Sequence, residues 1–175
     1  MKVTAIVPAA GAGSRFLKKK GRRKPFFILK DRPILAHTLA ALSCSDRIDE
    51  IVVVVHKGDI KKCRNLIKRY CLKKVRGIVA GGNTRFRSVK NGLAQVPKDA
   101  DIVFIHDGAR PLIDKRMISD SINACRRFGA AVCGVPVIST VKSVRPDLTV
   151  KDTPDRKSLY MIQTPQVFRK STIEE

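Results

Sequence analysis

Short apolar runs alternate along this chain with stretches in which apolar residues recur every three or four positions. The runs with the length and composition of strands are Thr4–Val7, Ile51–His56, Val75–Ala80, Ile102–His106 and Ala131–Val137. The second of them opens with an unbroken β-branched sequence, which is typical of a strand covered on both faces. Strands that alternate with helical patterns in this way predict βαβ units and a parallel sheet.

Helical periodicity is clear in two of the intervals between strands. Apolar and small residues recur at helical spacing at Ile34, Leu35, Thr38, Leu39 and Leu42, and again at Met117, Ile118, Ile122 and Cys125. Right-handed crossovers place such helices on both faces of a parallel sheet. We therefore predict a three-layer α/β/α sandwich with a mostly parallel, Rossmann-like sheet, in a single domain that spans residues 1–175.

The pattern changes after Val137. An extended stretch at Val141–Val144, a turn at Arg145–Asp147 and a second extended stretch through Tyr160–Met161 indicate a β-hairpin with few core residues. A two-stranded hairpin is barely stable in isolation. We therefore expect residues 138–161 to form a protruding arm that packs on a second copy of the chain, giving a homodimer.

The first predicted strand runs into a loop of small residues that ends in positive charge. The sequence from Pro8 is PAAGAGSR, and a basic run follows at residues 18–24. Small residues allow backbone N–H groups to approach a phosphate chain closely. A dinucleotide-binding fingerprint would need Gly in place of Phe16, and a P-loop would need Lys directly after Gly13. The loop instead suggests binding of a nucleoside triphosphate and transfer of part of it.

Two further segments fall at the ends of predicted strands. These are the Gly81-Gly82 turn and the His106-Asp107 pair. Ligands of open α/β sheets bind outside the carboxyl ends of the strands. We therefore expect these segments to converge with the Gly11 loop on one site.

The net charge of the chain is extreme. Lys and Arg number 36 against 15 Asp and Glu, which gives +21 at pH 7. Nucleic-acid binding is one explanation, because Lys and Arg dominate contacts with phosphates. Against it, the chain has no Trp and only 2 Tyr to stack on bases, and its cations are scattered as on solvated helix faces. Attraction of small polyanionic substrates is the better account, and a non-catalytic nucleic-acid-binding module is kept as the alternative of another class.

The remaining composition points to a cytoplasmic protein. No apolar run approaches the roughly 20 residues that cross a bilayer. The apolar start of the chain is interrupted by Pro8 and followed by basic residues, unlike a signal peptide. The 5 cysteines contain no Cys-x-x-Cys pair, so neither a disulfide framework nor a zinc site is indicated.

Taken together, these segments resemble the 2-C-methyl-D-erythritol 4-phosphate cytidylyltransferases of isoprenoid synthesis, over essentially the whole chain. In chain order, the segments that carry the resemblance are PAAGAGSR from Pro8, KPF from Lys24, Gly81–Val89, Asn91–Leu93, His106–Pro111, Asp155–Arg156 and Gln163–Phe168.

The resemblance implies transfer of a cytidylyl group from CTP to 2-C-methyl-D-erythritol 4-phosphate, with release of pyrophosphate. It also implies Mg²⁺, held mainly by the CTP phosphates and not by a metal site of the protein. A cytidylyltransferase for another polyol phosphate, such as ribitol 5-phosphate, is the alternative within the same chemistry. Such a transfer needs positioning and charge neutralisation more than a nucleophilic side chain.

The resemblance also assigns the site residues. The catalytic residues would be Arg15, Lys24 and Arg156. The CTP-binding residues would be Ala9, Ala10, Gly11, Ala12, Gly13, Gly81, Gly82, Asn83, Ser88 and Gly108. The acceptor-binding residues would be Asp107, Arg110, Thr140 and Arg156, the last two reaching in from the partner subunit. His106 is interpreted as a strand-end histidine and not as a base, because a phosphate nucleophile is already ionised.

The chain departs from the family pattern at three places. Pro25 stands where many members have Gln, and Ser139 stands where Asp is usual. The sequence given ends at Glu175, where the family continues with further elements of the acceptor site. From the resemblance we expect this length of chain to be aggregation-prone, to bind CTP weakly and to transfer little cytidylyl group.

Overall fold

A six-stranded sheet forms the centre of the molecule. The computed structural model describes residues 1–11 and 23–175, and the statements below refer to those residues. The strands are, in spatial order, β5 (Val75–Ala80), β4 (Glu50–Val55), β1 (Val3–Pro8), β6 (Ile102–Ile105), β10 (Tyr160–Arg169) and β7 (Ala130–Pro136). The first four are mutually parallel, and β10 is antiparallel to both of its neighbours. The predicted mostly parallel sheet is confirmed.

Helices cover both faces of this sheet. They are α1 (Ile34–Ser43), α2 (Ile60–Arg69), α3 (Arg85–Leu93), α4 (Lys115–Phe128) and α5 (Lys170–Glu174). One core joins a sheet face to α1, α2 and α4, and the second joins the opposite face to α3 and α5. The three-layer α/β/α sandwich is therefore confirmed. Within the part of the chain that the structure describes, no helix is long and apolar enough to cross a membrane.

The predicted strands agree with the observed ones to within a residue or two at each end. Residues 51–55 of β4 are between 0% and 2% exposed, because helices pack on both faces of this strand. Side chains cap the helix starts where the sequence has Thr or Asp. Thr84 accepts a hydrogen bond from the amide of Arg87 at 3.1 Å, and Asp114 accepts one from the amide of Met117 at 2.7 Å.

Four short strands lie outside the main sheet. They form two antiparallel pairs, β2 (Ile28–Leu29) with β3 (Arg32–Pro33), and β8 (Ser143–Val144) with β9 (Val150–Asp152). The second pair is the hairpin of the predicted arm. Its turn is closed by a 2.9 Å hydrogen bond from the amide of Arg145 to the carbonyl of Thr149.

The predicted second half of this hairpin is wrong. Tyr160 and Met161 belong to β10 and pair with Pro136 and Val135 of β7, so they are part of the main sheet. Tyr160 and Met161 are about half exposed, because β7 and β10 continue past the helices that cover them. Their apolar pattern therefore resembled that of a separate hairpin. The arm thus extends from a paired β7–β10 ribbon.

Candidate active site

Loops from separate strands meet at the carboxyl edge of the sheet, beside β1. From β1 the chain moves to β4 and β5 on one side, whereas β6 lies on the other, and such a reversal opens a crevice for ligands. The backbone joins the loops directly. The amide of Ala9 donates to the carbonyl of Val54 at 2.7 Å, and the amide of Gly108 donates to the carbonyl of Pro8 at 2.9 Å. The expected convergence of three segments is confirmed.

Glycines allow these loops to approach each other closely. A Cβ atom at Gly81 would lie 2.3 Å from the Cβ of Ala10, and one at Gly108 would lie 2.9 Å from the Cβ of Ala9. Neither position has room for a larger residue. The structure therefore brings four of the predicted CTP-binding residues into one close-packed group, with their backbone at the sheet edge.

Ser88 holds the turn that the sequence assigned to the nucleotide base. Its side chain is buried, and its Oγ accepts from the amide of Gly82 at 3.1 Å and lies 2.9 Å from the carbonyl of Thr84. Asn83 accepts a 3.3 Å hydrogen bond from Arg87. These contacts preorganise the Gly81-Gly82 backbone, which faces the β1 loop through Ala10.

Asp107 lies between two arginines at the rim of the crevice. Its Oδ1 is 3.4 Å from Nη2 of Arg85, and its Oδ2 accepts from Nε of Arg110 at 3.1 Å. Each arginine is also held by a glutamine of β10: Arg85 donates to Gln166 at 3.0 Å, and Arg110 donates to Gln163. All three charged side chains remain between 31% and 49% exposed. The cluster thus presents two oriented guanidinium groups and a net positive charge at the rim of the crevice.

His106 is a structural residue beneath this cluster. It is 1% exposed, and its Nε2 lies 3.0 Å from the carbonyl oxygen of Arg110. Among the described residues, no group hydrogen-bonds with its Nδ1. Burial lowers the pKa of the imidazole, so that the neutral ring donates from Nε2 and fixes the loop that carries Arg110. The interpretation of His106 as a strand-end residue agrees with this geometry, although only one ring nitrogen is paired.

Lys24 is held at the edge of the larger core. It opens a short 3₁₀ helix, Lys24–Phe26. In this helix the amide of Phe26 donates to the carbonyl of Arg23, and the amide of Phe27 donates to the carbonyl of Lys24. Phe26 is 5% exposed and packs into the core, which fixes the backbone beside Lys24. The predicted residues Ala12, Gly13 and Arg15 lie outside the described residues.

Thr140 and Arg156 are on the arm. Arg156 donates from Nη1 to the carbonyl of Ile138 at 2.9 Å, and both predicted residues are exposed. The hydrogen bond of Arg156 stays within the arm. The structure of a single chain therefore does not bring them together with the loops at the sheet edge.

An open cleft of about 380 Å³ adjoins the arginine cluster. It is lined by His106, Arg110, Pro111, Leu112, Ile113, Met117, Cys133, Gly134, Val135, Gln163 and Thr164. Within residues 1–11 and 23–175, no group of three or more His, Cys, Asp or Glu side chains could hold a metal ion. Both carboxylate oxygens of Asp107 are paired with arginines.

Comparison with known proteins decides the family. Residues 3–175 match the family model described as 2-C-methyl-D-erythritol 4-phosphate cytidylyltransferase. The chain belongs to this family. The cytidylyltransferase of Alkaliphilus metalliredigens is 44% identical over 174 residues, which cover 99% of this chain and 71% of that protein. The one from Syntrophus aciditrophicus is 45% identical over 175 residues, covering 99% and 74%.

A solved structure gives the same answer for the fold. The 4-diphosphocytidyl-2C-methyl-D-erythritol synthase of Anaerococcus prevotii superposes with a TM-score of 0.84 at 33% identity, covering 98% of this chain and 71% of that one. This cytidylyltransferase chain therefore spans about 71% to 74% of the length of these relatives.

The sequence analysis did not single out three of the side chains that surround Asp107. Arg85 and Gln163 orient the charges around Asp107, and Thr164 accepts from the amide of Asp107 through its Oγ1 at 3.3 Å. All three fall in segments that carry the family resemblance. The available signal was their polarity, since Gln163 and Thr164 directly follow the apolar residues Met161 and Ile162 in the same strand.

Proposed function

We propose that this protein transfers the cytidylyl group of CTP to 2-C-methyl-D-erythritol 4-phosphate and releases pyrophosphate. The observation that carries the proposal is the family match over residues 3–175. The convergence of the small-residue loop, the glycine turn and the arginine cluster at one sheet edge agrees with it.

The positive charges at the carboxyl edge of the sheet suit a transfer between two phosphate groups. A phosphate oxygen of the acceptor attacks the α-phosphorus of CTP, the bond from that phosphorus to the bridging oxygen breaks, and pyrophosphate leaves with the electron pair. No base is required, because the nucleophile is already ionised at neutral pH. The protein's contribution is to hold the two phosphates together and to stabilise the charge around the α-phosphorus.

We assign the roles as follows. The backbone of Ala9–Gly13, Gly81–Asn83 and Gly108 cradles the nucleotide, with Ser88 shaping the turn that meets the cytosine. Lys24 and Arg15 stabilise the charge that develops at the α-phosphorus. Asp107 orients Arg110 toward the acceptor phosphate. Mg²⁺ would enter with the triphosphate, where it would neutralise part of the phosphate charge.

We also propose a homodimer in which the arm, residues 138–159 as the structure bounds it, delivers Thr140 and Arg156 to the partner's site. The support is apolar exposure along the arm and the adjoining ribbon. The side chains concerned are between 49% and 83% exposed, and they are Val132, Val135, Ile138, Val144, Leu148, Val150, Tyr160, Met161 and Ile162. Exposed apolar side chains gathered on the ribbon and the arm are consistent with a protein interface there. A cytoplasmic location belongs to the same proposal, since the structure leaves all five cysteines as free thiols.

The proposal is tested by pyrophosphate release with each nucleoside triphosphate and each acceptor in parallel. With a version of the protein extended to the length of these relatives, we expect turnover with CTP and 2-C-methyl-D-erythritol 4-phosphate, abolished by EDTA and restored by Mg²⁺. Turnover with ribitol 5-phosphate alone would identify the other polyol phosphate as acceptor. Equal rates with ATP, GTP, UTP and CTP would contradict base recognition by the glycine turn.

A further inference from the structure

The residue before Lys24 is joined to a different part of the fold. Nε of Arg23 donates to Oδ2 of Asp59 at 2.9 Å, and both side chains are about three-quarters buried, at 26% and 22% exposure. A hydrogen bond between two ionised groups is stronger than one between neutral groups. It is also screened less by solvent when both groups are largely buried. This contact therefore restrains the chain just before Lys24.

Asp59 has a rigid support at the carboxyl edge of the sheet. It ends the short turn that follows β4, and α2 begins at the next residue. Nδ1 of His56 accepts from the amide of Gly58 at 3.1 Å, and the amide of Asp59 donates to the carbonyl of His56 at 2.8 Å. The carboxylate is thus fixed relative to the strands that carry the site.

A second contact lies on the other side of Lys24. Nζ of Lys62 is 4.5 Å from the centroid of the Phe26 ring, within the range of a cation–π interaction. Lys62 follows Asp59 by three residues, so both project from the first turn of α2. We call Arg23, Phe26, Asp59 and Lys62 the α2 clasp. It holds the chain before and after Lys24 against one helix end.

The charge pattern makes Asp59 unusual. It is the only acidic residue of the sequence between Glu50 and Asp99, and no acidic residue precedes Asp31. Residues 18–24, which lead to Lys24, are rich in cations, and α2 is basic as well. The carboxylate of Asp59 offsets part of this positive charge at Arg23.

We propose that Asp59 is a positioning residue for Lys24, acting through Arg23. The inference rests on the proposed role of Lys24 at the α-phosphorus. Asp59 touches no substrate in this scheme. Asp59 fixes the position of the Lys24 backbone, and from that position the ammonium group of Lys24 reaches the phosphate.

The test is the substitution Asp59→Asn, which keeps the size of the side chain and removes its charge. We expect kcat to fall about tenfold or more, since a displacement of about 1 Å can cost 10²-fold, with KM for CTP changing less than threefold. Asp120→Asn is the matched control, because Asp120 pairs with Arg116 on the exposed face of α4. It should leave kcat and KM unchanged. Melting temperatures of both variants show whether the fold is intact.

A double-mutant cycle separates positioning from a general effect. We expect Lys24→Ala to lower kcat by roughly 10²-fold and Asp59→Asn to have no further effect in that background, because the group that it positions is gone.

Exchanging the charges, with Arg23→Asp and Asp59→Arg together, should recover part of the kcat lost in Asp59→Asn.

The outcomes distinguish this inference from the proposed function. No turnover of CTP by the unaltered protein, extended to the length of its relatives, would overturn the function. With an active protein, an unchanged kcat in Asp59→Asn would overturn the positioning role. Effects of Asp59→Asn and Lys24→Ala that multiply in the double variant would do the same, since they would show independent action.

Discussion

At the scale of single residues, polar side chains at the sheet edge mainly hydrogen-bond to the loops that carry the site. Ser88 binds the Gly82 backbone, and His106 binds the carbonyl of Arg110. Thr38, fully buried on α1, donates to the carbonyl of Gly108 at 3.1 Å. Each fixes a backbone segment that faces the crevice. Preorganisation of this kind lowers the cost of ordering the loops when substrate binds.

His106 should make the stability of the protein depend on pH in the acid range. Burial lowers its pKa, so the unfolded chain, with an ordinary value near 6.5, takes up a proton before the folded protein does. The free energy of unfolding should therefore be highest above about pH 6.5 and fall as the pH drops, by at most about 1.4 kcal/mol per pH unit for one group. Urea denaturation of the protein and of His106→Gln between pH 5 and 8 measures this slope. Identical slopes in the two proteins would contradict the assignment.

Gly81 should tolerate no side chain. An added Cβ meets the Cβ of Ala10 at 2.3 Å and Oγ of Ser88 at 2.9 Å, so Gly81→Ala must push the two nucleotide loops apart. We expect a loss of about 1–3 kcal/mol in stability, the usual cost of overpacking, and at least tenfold weaker CTP binding by calorimetry. Gly77→Ala is the control on the same strand, since its Cβ would meet Val52 at an ordinary 3.7 Å. Equal CTP affinity in the two variants would show that the loops do not need this close approach.

At the scale of secondary-structure elements, β10 does most to shape the site. It separates β6 from β7 and supplies Gln163, Thr164 and Gln166 to the cluster around Asp107. The same strand continues into the ribbon from which the arm extends. The arm and the arginine cluster are therefore joined by one strand.

The exchanged arm can be tested by mixing two inactive chains. If Arg156 acts in the partner's site, a hybrid of Arg156→Ala and Lys24→Ala chains contains one site in which both residues are intact. We expect each variant alone to have little activity and the mixture to recover part of it, up to about a quarter of the original level per chain for random pairing. Subunit exchange is verified with differently tagged chains. Failure to recover activity after verified exchange would place Arg156 in its own chain's site.

The sequence predicted the parallel strands and two of the helices well, because buried runs such as Ile51–Val55 and the spacing of Leu35, Leu39 and Leu42 are local signals. It did not predict β10, whose pairing with β6 and β7 joins segments far apart along the chain and leaves no periodic trace. The same limit applies to the site. The glycines and Asp107 follow from motif and strand ends, whereas the Arg85–Gln166 and Arg110–Gln163 pairs depend on tertiary register.

At the scale of the whole molecule, one edge of the sheet carries cations without any acidic residue. Residues 60–98, which form α2, β5 and α3, contain no acidic residue. They make up the β5 edge of the sheet and its flanking helices. A field of one sign next to a crevice attracts anionic ligands and raises their association rate. The charge is thus matched to a triphosphate and a phosphorylated acceptor.

This field should make CTP capture depend on salt. The Debye length is about 10 Å at 0.1 M and about 3 Å at 1 M, so added salt screens cations that do not touch the substrate. We expect kcat/KM for CTP to fall several-fold between 50 and 500 mM NaCl, with a smaller change in kcat. The triple substitution Lys61→Gln, Arg64→Gln and Lys68→Gln, on the exposed face of α2, should reduce the slope. If the dependence of kcat/KM on salt were the same in the triple variant, only residues that contact CTP would contribute to its capture.

The position of β10 between β6 and β7 also determines when the described sheet can form during synthesis. Until residues 160–169 have emerged from the ribosome, β7 lacks its partner in the described sheet and one edge of β6 is open. The nascent chain therefore presents two unpaired edges at once, the condition under which β proteins associate wrongly. The hydrogen bonds that Thr164 and Gln163 make to Asp107 and Arg110 also form only after β10 has been synthesised. The nucleotide crevice is therefore completed later than the parallel strands that precede β10. Chaperone dependence of this protein should consequently be greatest just before β10 is made.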